Sequence, residues 1–318
     1  MNYFVRRILI SLFTVFLVSL LCFLCFSVIR GDPAVFLAGT DASAEQLSVI
    51  REEMGLNRPV LIRYFDWLFN FIKGNPGYSY SFRGESISSL IAQRLPVTIS
   101  LAVFSLILIL LISVPLSFLT VKRRGGLIDN IINFFTAAGL STPGFFLGLL
   151  FIFIFGLSLK LFIPGLYIDY KENFFQFIGC LFFPALAIAI PNAAILIKFL
   201  RTSLFNELHS DYTRTAKSKG LTQSYILRRH VFRNAVLPVI SLFAMIIAEV
   251  FSGSVIIEQV FTIPGIGRLL ITAITSRDYP LIQALIVYLA FLVIIANTLA
   301  DIIIMIVDPR IRVTKDIQ

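Results

Sequence analysis

Catalysis and metal binding need ionisable or nucleophilic side chains held close together, and in this 318-residue sequence they are scattered. His209 and His230 are the only histidines and lie 21 residues apart, and no cysteine groups with either at ligand spacing, so no metal site is predicted. Cys22, Cys25 and Cys180 all fall in apolar runs. The C-x-x-C of "CFLC" lacks the strand-to-helix turn of a redox motif and reads as packing or lipid-facing residues. No G-x-x-x-x-G-K-S/T occurs, so no loop is recognisable that would cradle nucleotide phosphates, and no cofactor is expected on the chain itself. A nucleophile and base at a spacing that would suit an intramembrane enzyme are missing as well.

The polar groups that stand out do so against an apolar background. Glu249 interrupts an otherwise uncharged run. An acid inside a membrane is costly enough to mark a translocation path or proton site, a structural pairing, or a position facing water near a helix end. Asn297 and Asp301 share a face of the last apolar run and Asp308 follows, placed to hydrogen-bond to an adjoining loop. Pro143 with Gly144, and Pro184 and Pro191, interrupt backbone hydrogen bonding, which membrane helices tolerate where they pack together or line a cavity. "IPGIG" at 263–267, with Pro264, Gly265 and Gly267, is too short to span and reads as a turn able to close a path.

Charge is most concentrated in "DYTRTAKSKGLTQSYILRRHVFRNAVLPVI", residues 211–240, which holds six of the 27 Lys and Arg. Asp211 is placed to cap a short helix over 212–219, its carboxylate accepting amide protons that the first turn leaves unpaired. Lys217 and Lys219 fall at the negative end of that helix's dipole, and Gly220 where a left-handed residue ends it. Thr222 starts a second helix, with Leu221 and Ile226 spaced as a hydrophobic staple. There Leu227, Val231, Asn234 and Pro238 follow one face while Arg229 and Arg233 lie on another. Such a pair suits docking on a protein partner. A helix lying on anionic lipid has much the same pattern, and a solvated basic loop is the plainer alternative.

The elements that must position these groups are membrane spans. The chain is 58% hydrophobic and 14% charged, with a formal net charge of +9 and a mean hydropathy of +0.89, outside the usual range of soluble domains. Ile8–Ile29, Leu95–Val121, Asn130–Leu159, Asn173–Ile197 and Tyr279–Ala300 contain no Asp, Glu, Lys or Arg, and each exceeds the roughly 20 residues a spanning helix needs. Asn234–Ile257 is interrupted only by Glu249. Six spans of an all-α membrane protein are predicted, the first an anchor rather than a cleaved leader. Short segments on one side carry 16 of the 27 basic residues, so both termini are expected in the cytoplasm. The organisation expected is a first span within 1–29, an extracytoplasmic segment at 30–94, a five-span core at 95–307 that includes a cytoplasmic loop at 203–233, and a tail at 308–318. Within 30–94 a short helix should open near Ser43. A second, with Leu61, Tyr64, Phe65, Leu68 and Ile72 on one face, should lie in the interface with Trp67 and Tyr64 at headgroup level, unless the segment is a small soluble cap.

"DYTRTAKSKGL" followed by "RRHVFRNAVLP" resembles the cytoplasmic coupling loop of permease subunits in ATP-binding cassette (ABC) importers, in the branch handling dipeptides, oligopeptides and nickel. "RGDP", "EEMGLNRP", "RLPVTISLA", "STPGFFLG", "FPALAIAIP", "GSVIIEQVFTIPGIGRLL", "RDYPLIQ" and "DPRIR" extend the resemblance in order along the chain. Where the general importer consensus has Glu-Ala-Ala, three residues, then Gly, this sequence has Arg214, Thr215 and Ala216, and only Ala216 and Gly220 keep the pattern.

The resemblance implies a bacterial inner-membrane permease that pairs with a homologous second permease and two ATPases, which bind ATP and Mg, and that receives solute from an extracytoplasmic binding protein. It further implies a coupling role for Asp211, Tyr212, Arg214, Thr215, Ala216, Lys219, Gly220, Leu221, Arg229, His230, Arg233 and Asn234. Pro143, Pro191, Glu249, Pro264, Gly265 and Gly267 are candidates for the path or its gate, with Asn297, Asp301 and Asp308 as structural groups at the cytoplasmic end. The rival expectation is a proton-coupled secondary transporter using Glu249 and Asp301, which would need no coupling loop.

Overall fold

The computed structural model describes residues 3–28, 43–53, 57–82 and 84–307. The tail at 308–318, with Asp308, and the "RGDP" segment lie outside them. Helices dominate the described residues, with one isolated bridge between Tyr78 and Ser86. The chain divides into two compact units, 1–96 with 268–294 and 97–267 with 295–318.

The first unit holds α1 (Tyr3–Val28), α2 (Ala44–Glu53) and α3 (Val60–Ile72). As Ser43 suggests, α2 opens there on a reciprocal capping box: Gln46 N–H donates to Ser43 Oγ (3.3 Å) while Ser43 N–H donates to Gln46 Oε1 (3.0 Å). The helix expected over 61–72 is α3, but its packed face differs from the predicted one. Tyr64 is fully buried, its hydroxyl 2.8 Å from Ser19 Oγ on α1 and its ring edge-on to Phe23. Trp67 and Phe71 follow, reaching Phe23 and Tyr288, whereas Leu61, Phe65 and Ile72 are exposed. An all-apolar stripe around most of the helix leaves periodicity unable to say which part of it meets protein, and the aromatic partners on α1 decide. In the same unit the buried Asp278 carboxylate accepts from Ser79 Oγ (2.5 Å), Ser81 N–H (2.9 Å) and Leu281 N–H (3.3 Å). It thereby caps the helix that begins at Tyr279. Burial first, then the Asp278 charge, push the Tyr80 phenol up to about 12.

The second unit is built on two long helices, α4 (Ile87–Lys122, which begins in the first unit) and α7 (Phe174–Leu208), both longer than a bilayer crossing requires. Between them the expected third span is broken: α5 (Leu127–Ser141) and α6 (Gly144–Phe151), extended by a π-helical turn Ile152–Ser158, meet at 105°. Thr142 and Pro143 are extended, and the proline ring disfavours helical geometry at Thr142, the residue before it. Among the described residues, five helices are long and apolar enough to cross a membrane, or six if the bent pair is one span.

Small residues let the broken span approach its neighbours. A Cβ on Gly139 would lie 3.2 Å from Ala194 Cβ, and one on Gly144 would lie 3.1 Å from the Ala187 carbonyl oxygen, which Pro191 deprives of its helical donor. α7 itself runs helical through both Pro184 and Pro191. After it come α8 (Asp211–Ser218), α9 (Gln223–Ile226), a π-helical turn Leu227–Val231 and α10 (Phe232–Val260). α11 (Ile266–Thr275) and α12 (Tyr279–Val307) complete the described chain.

Candidate coupling element and path residues

The basic stretch folds as an ordered helix pair. α8 ends in the arrangement its sequence predicts: Leu221 N–H donates to Ala216 O (3.3 Å), Gly220 N–H donates to Lys217 O (2.9 Å), and Gly220 has φ +80°. A Cβ on Gly220 would meet nothing within 4 Å, so glycine is needed there for its backbone conformation alone. Underneath, Thr213 is fully buried and its hydroxyl lies 2.7 Å from both Leu208 O and Ser210 O. The Tyr212 hydroxyl donates to Glu207 Oε2 at 2.5 Å. Partial burial, then the bond to Glu207, raise the Tyr212 phenol above its usual range. Ser203 Oγ donates to Ala235 O (2.7 Å), tying the end of α7 to α10.

Three expectations for this stretch need correction. Asp211 is not the cap: Ser210 occupies that position, its hydroxyl turned to Glu207 O, and Asp211 sits exposed in the first turn, 3.8 Å from Arg214. An acid there still favours the positive helix end, but so exposed a pair contributes little. Thr222 does begin the second helix, without a side-chain capping bond, and of the proposed staple Ile226 is buried while Leu221 is exposed. Finally, the second helix is not separate from the fifth span. α9, the π turn and α10 run on as one apolar rod, 223–260. The π turn adds a residue to the helical repeat, so the buried face passes from Leu227 and Val231 to Ala235 and Val239, leaving Asn234 and Pro238 exposed.

The outward surface of the pair gathers Asp211, Arg214, Thr215, Lys219, Gly220, Leu221, Arg229, Arg233 and Asn234, while Ala216 is buried beneath it. His230 is half-buried with its ring 5.9 Å from Tyr225.

At the opposite end of α10 the structure exposes one acid and buries another. Glu249 lies exposed on the helix. Glu258, which directly follows the apolar run and has no motif to mark it, is fully buried and accepts from Thr98 Oγ1 (2.6 Å) and Gly267 N–H (2.7 Å). Thr98 Oγ1 in turn accepts from Ile266 N–H (2.9 Å), so α4, α10 and the first turn of α11 meet on two side chains. The glycines of "IPGIG" make this possible: a Cβ on Gly265 would lie 2.2 Å from Glu258 Cδ, and one on Gly267 would lie 2.4 Å from Val255 Cα. That turn is therefore packed onto α10, with Pro264 half-buried just before the two glycines. Pro143 is exposed and Pro191 half-buried. Asn297 is half-buried on α12, and Asp301 falls on the same helix.

Comparison with known proteins then matches residues 113–313 to the binding-protein-dependent transport system inner membrane component, and residues 1–102 to the N-terminal component of the same systems. The chain belongs to that family. The permease is 37% identical to the oligopeptide transport system permease protein AppB of Bacillus subtilis (strain 168), over 98% of this chain and 99% of the relative. A probable peptide ABC transporter permease protein, y4tP of Sinorhizobium fredii (strain NBRC 101917 / NGR234), is 34% identical over 98% and 99%. A putative peptide transport system permease protein of Brucella abortus (strain 2308) is 34% identical over 90% of each chain. The protein is thus a multi-pass inner-membrane permease subunit of an ABC importer, whose family works with ATPase and substrate-binding partners.

Proposed function

We propose that this permease imports peptides by alternating access, driven by ATP and Mg bound on two partner ATPases and transmitted through residues 211–233. A homologous second permease completes the path, and an extracytoplasmic binding protein delivers the solute. The observation that carries the reading is the continuity of the cationic helix pair with α10: a rigid, capped element that leaves Arg214, Lys219, Arg229 and Arg233 outward is joined without a loop to a helix that crosses the membrane. Motion imposed on the pair is delivered directly to that helix. The peptide class follows the relatives, peptide and oligopeptide permeases by name, at 34 to 37% identity over 90% or more of the chain.

In vesicles carrying the assembled transporter, labelled peptide uptake should require ATP and binding protein, and should persist when the proton gradient is collapsed with ATP held constant. Loss of uptake on collapsing the gradient would contradict the proposal. Because Glu249 is exposed rather than enclosed in a polar network, Glu249→Gln should keep most of the uptake in the same vesicles. A loss of tenfold or more, which corresponds to about 1.4 kcal/mol of barrier, would make it a path residue.

Both termini are proposed to lie in the cytoplasm, on the charge count of the short loops. A reporter active only outside the cytoplasm should be silent when fused after Gln318 and active after Tyr78. The reverse pattern would invert the orientation.

A further inference from the structure

We propose that a cleft between α5 and α7 is a binding site for the phosphodiester headgroup of an anionic phospholipid. The cleft, of about 440 Å³, is lined both by the cations Arg124, Lys198 and Arg201 and by the apolar Ala137, Leu140 and Ile197. The carboxylate that Arg201 meets is already engaged: buried Asp129 accepts from Arg201 (2.9 Å) and from Gly125 N–H (3.0 Å). Asn133 Oδ1 accepts a further bond from the Arg201 guanidinium and its amide donates back to Asp129 (3.1 Å), which fixes that side chain as the wall of the cleft. The buried Arg201 Nε has no hydrogen-bond partner among the described residues.

Arg124 and Lys198 are exposed and form no ion pair among the described residues. Arg124 is held 4.8 Å over the Phe205 ring rather than trailing in solvent. Two positive charges are thus left uncompensated on a cleft that also has an apolar wall, and α5 carries Phe134 and Phe135, both more than two-thirds exposed. A free phosphate would satisfy only the cations, whereas a lipid places its phosphate among them and its acyl chains along the apolar wall. The leaflet rests on the orientation proposed above, but binding does not, so the two can fail separately.

The test is native mass spectrometry of the purified transporter complex, titrated with phosphatidylglycerol, phosphatidylcholine or inorganic phosphate. Each juxtamembrane cation contributes about fivefold, so Arg124→Gln with Lys198→Gln should weaken phosphatidylglycerol binding about 30-fold. Lys198→Arg should retain it. Lys122→Gln with Arg123→Gln, neighbouring cations that do not line the cleft, should stay near wild type. Equal loss in that control would show general surface charge and overturn the site. Equal affinity for phosphatidylcholine would do the same, and competition by inorganic phosphate at matched concentration would reassign the cleft to a free anion. Failure of the wild-type complex to retain phosphatidylglycerol would mean that another subunit covers the cleft, and would also overturn the proposal.

Discussion

Glu258→Ala should destabilise the permease by about 2 to 6 kcal/mol, because two buried donors that now bond the carboxylate, Thr98 Oγ1 and Gly267 N–H, would each be left unpaired at about 1 to 3 kcal/mol. The carboxylate also fills the space that Gly265 and Gly267 leave open, so its removal adds a cavity that those glycines cannot close. Glu258→Gln keeps one acceptor oxygen and should cost less than half as much. Thermal unfolding of the purified complex in detergent distinguishes them: the Ala variant should melt well below wild type with the Gln variant between. Equal melting of all three would show that the bonds at this end do not hold the unit together.

Much of this architecture can be read from residues. Charge-free runs give the spans because lipid excludes ionised groups, and Ser43 with Gln46 or Gly220 with Ala216 mark helix ends through local hydrogen bonding. "STPG" announces a break at 141–144, but the 105° bend depends on how closely Gly144 can approach Ala187 across the sequence. The π turn at Leu227–Val231 has no residue signature and moves the buried face by one position, which is why Asn234 and Pro238 are not where periodicity puts them.

Glu258 escaped notice for a related reason. Sequence marks Glu249 as the deeper acid, yet depth along a helix says nothing of which side faces protein. The available signal was the pair of glycines shortly after Glu258, at positions that leave room for a carboxylate beneath the start of the next helix.

The helix pair at 211–233 has the most direct bearing on function, and Gly220 is its narrowest point. With φ +80° and open space around it, a valine there is strained by its backbone alone, about 1 to 2 kcal/mol. That is too little to unfold a helical membrane protein, but relief of the strain re-aims α8, with Arg214 and Lys219, against the rod that carries Arg229 and Arg233. Gly220→Val should therefore insert at near-normal levels and give a complex that either loses its ATPases or retains them without response to substrate.

The deciding measurement is ATP hydrolysis by the purified Gly220→Val transporter with and without peptide-loaded binding protein. The account predicts that the stimulation seen in wild type is abolished. Full recruitment of the ATPases with wild-type stimulation would mean that this segment is a solvated basic loop and does not transmit the work of ATP.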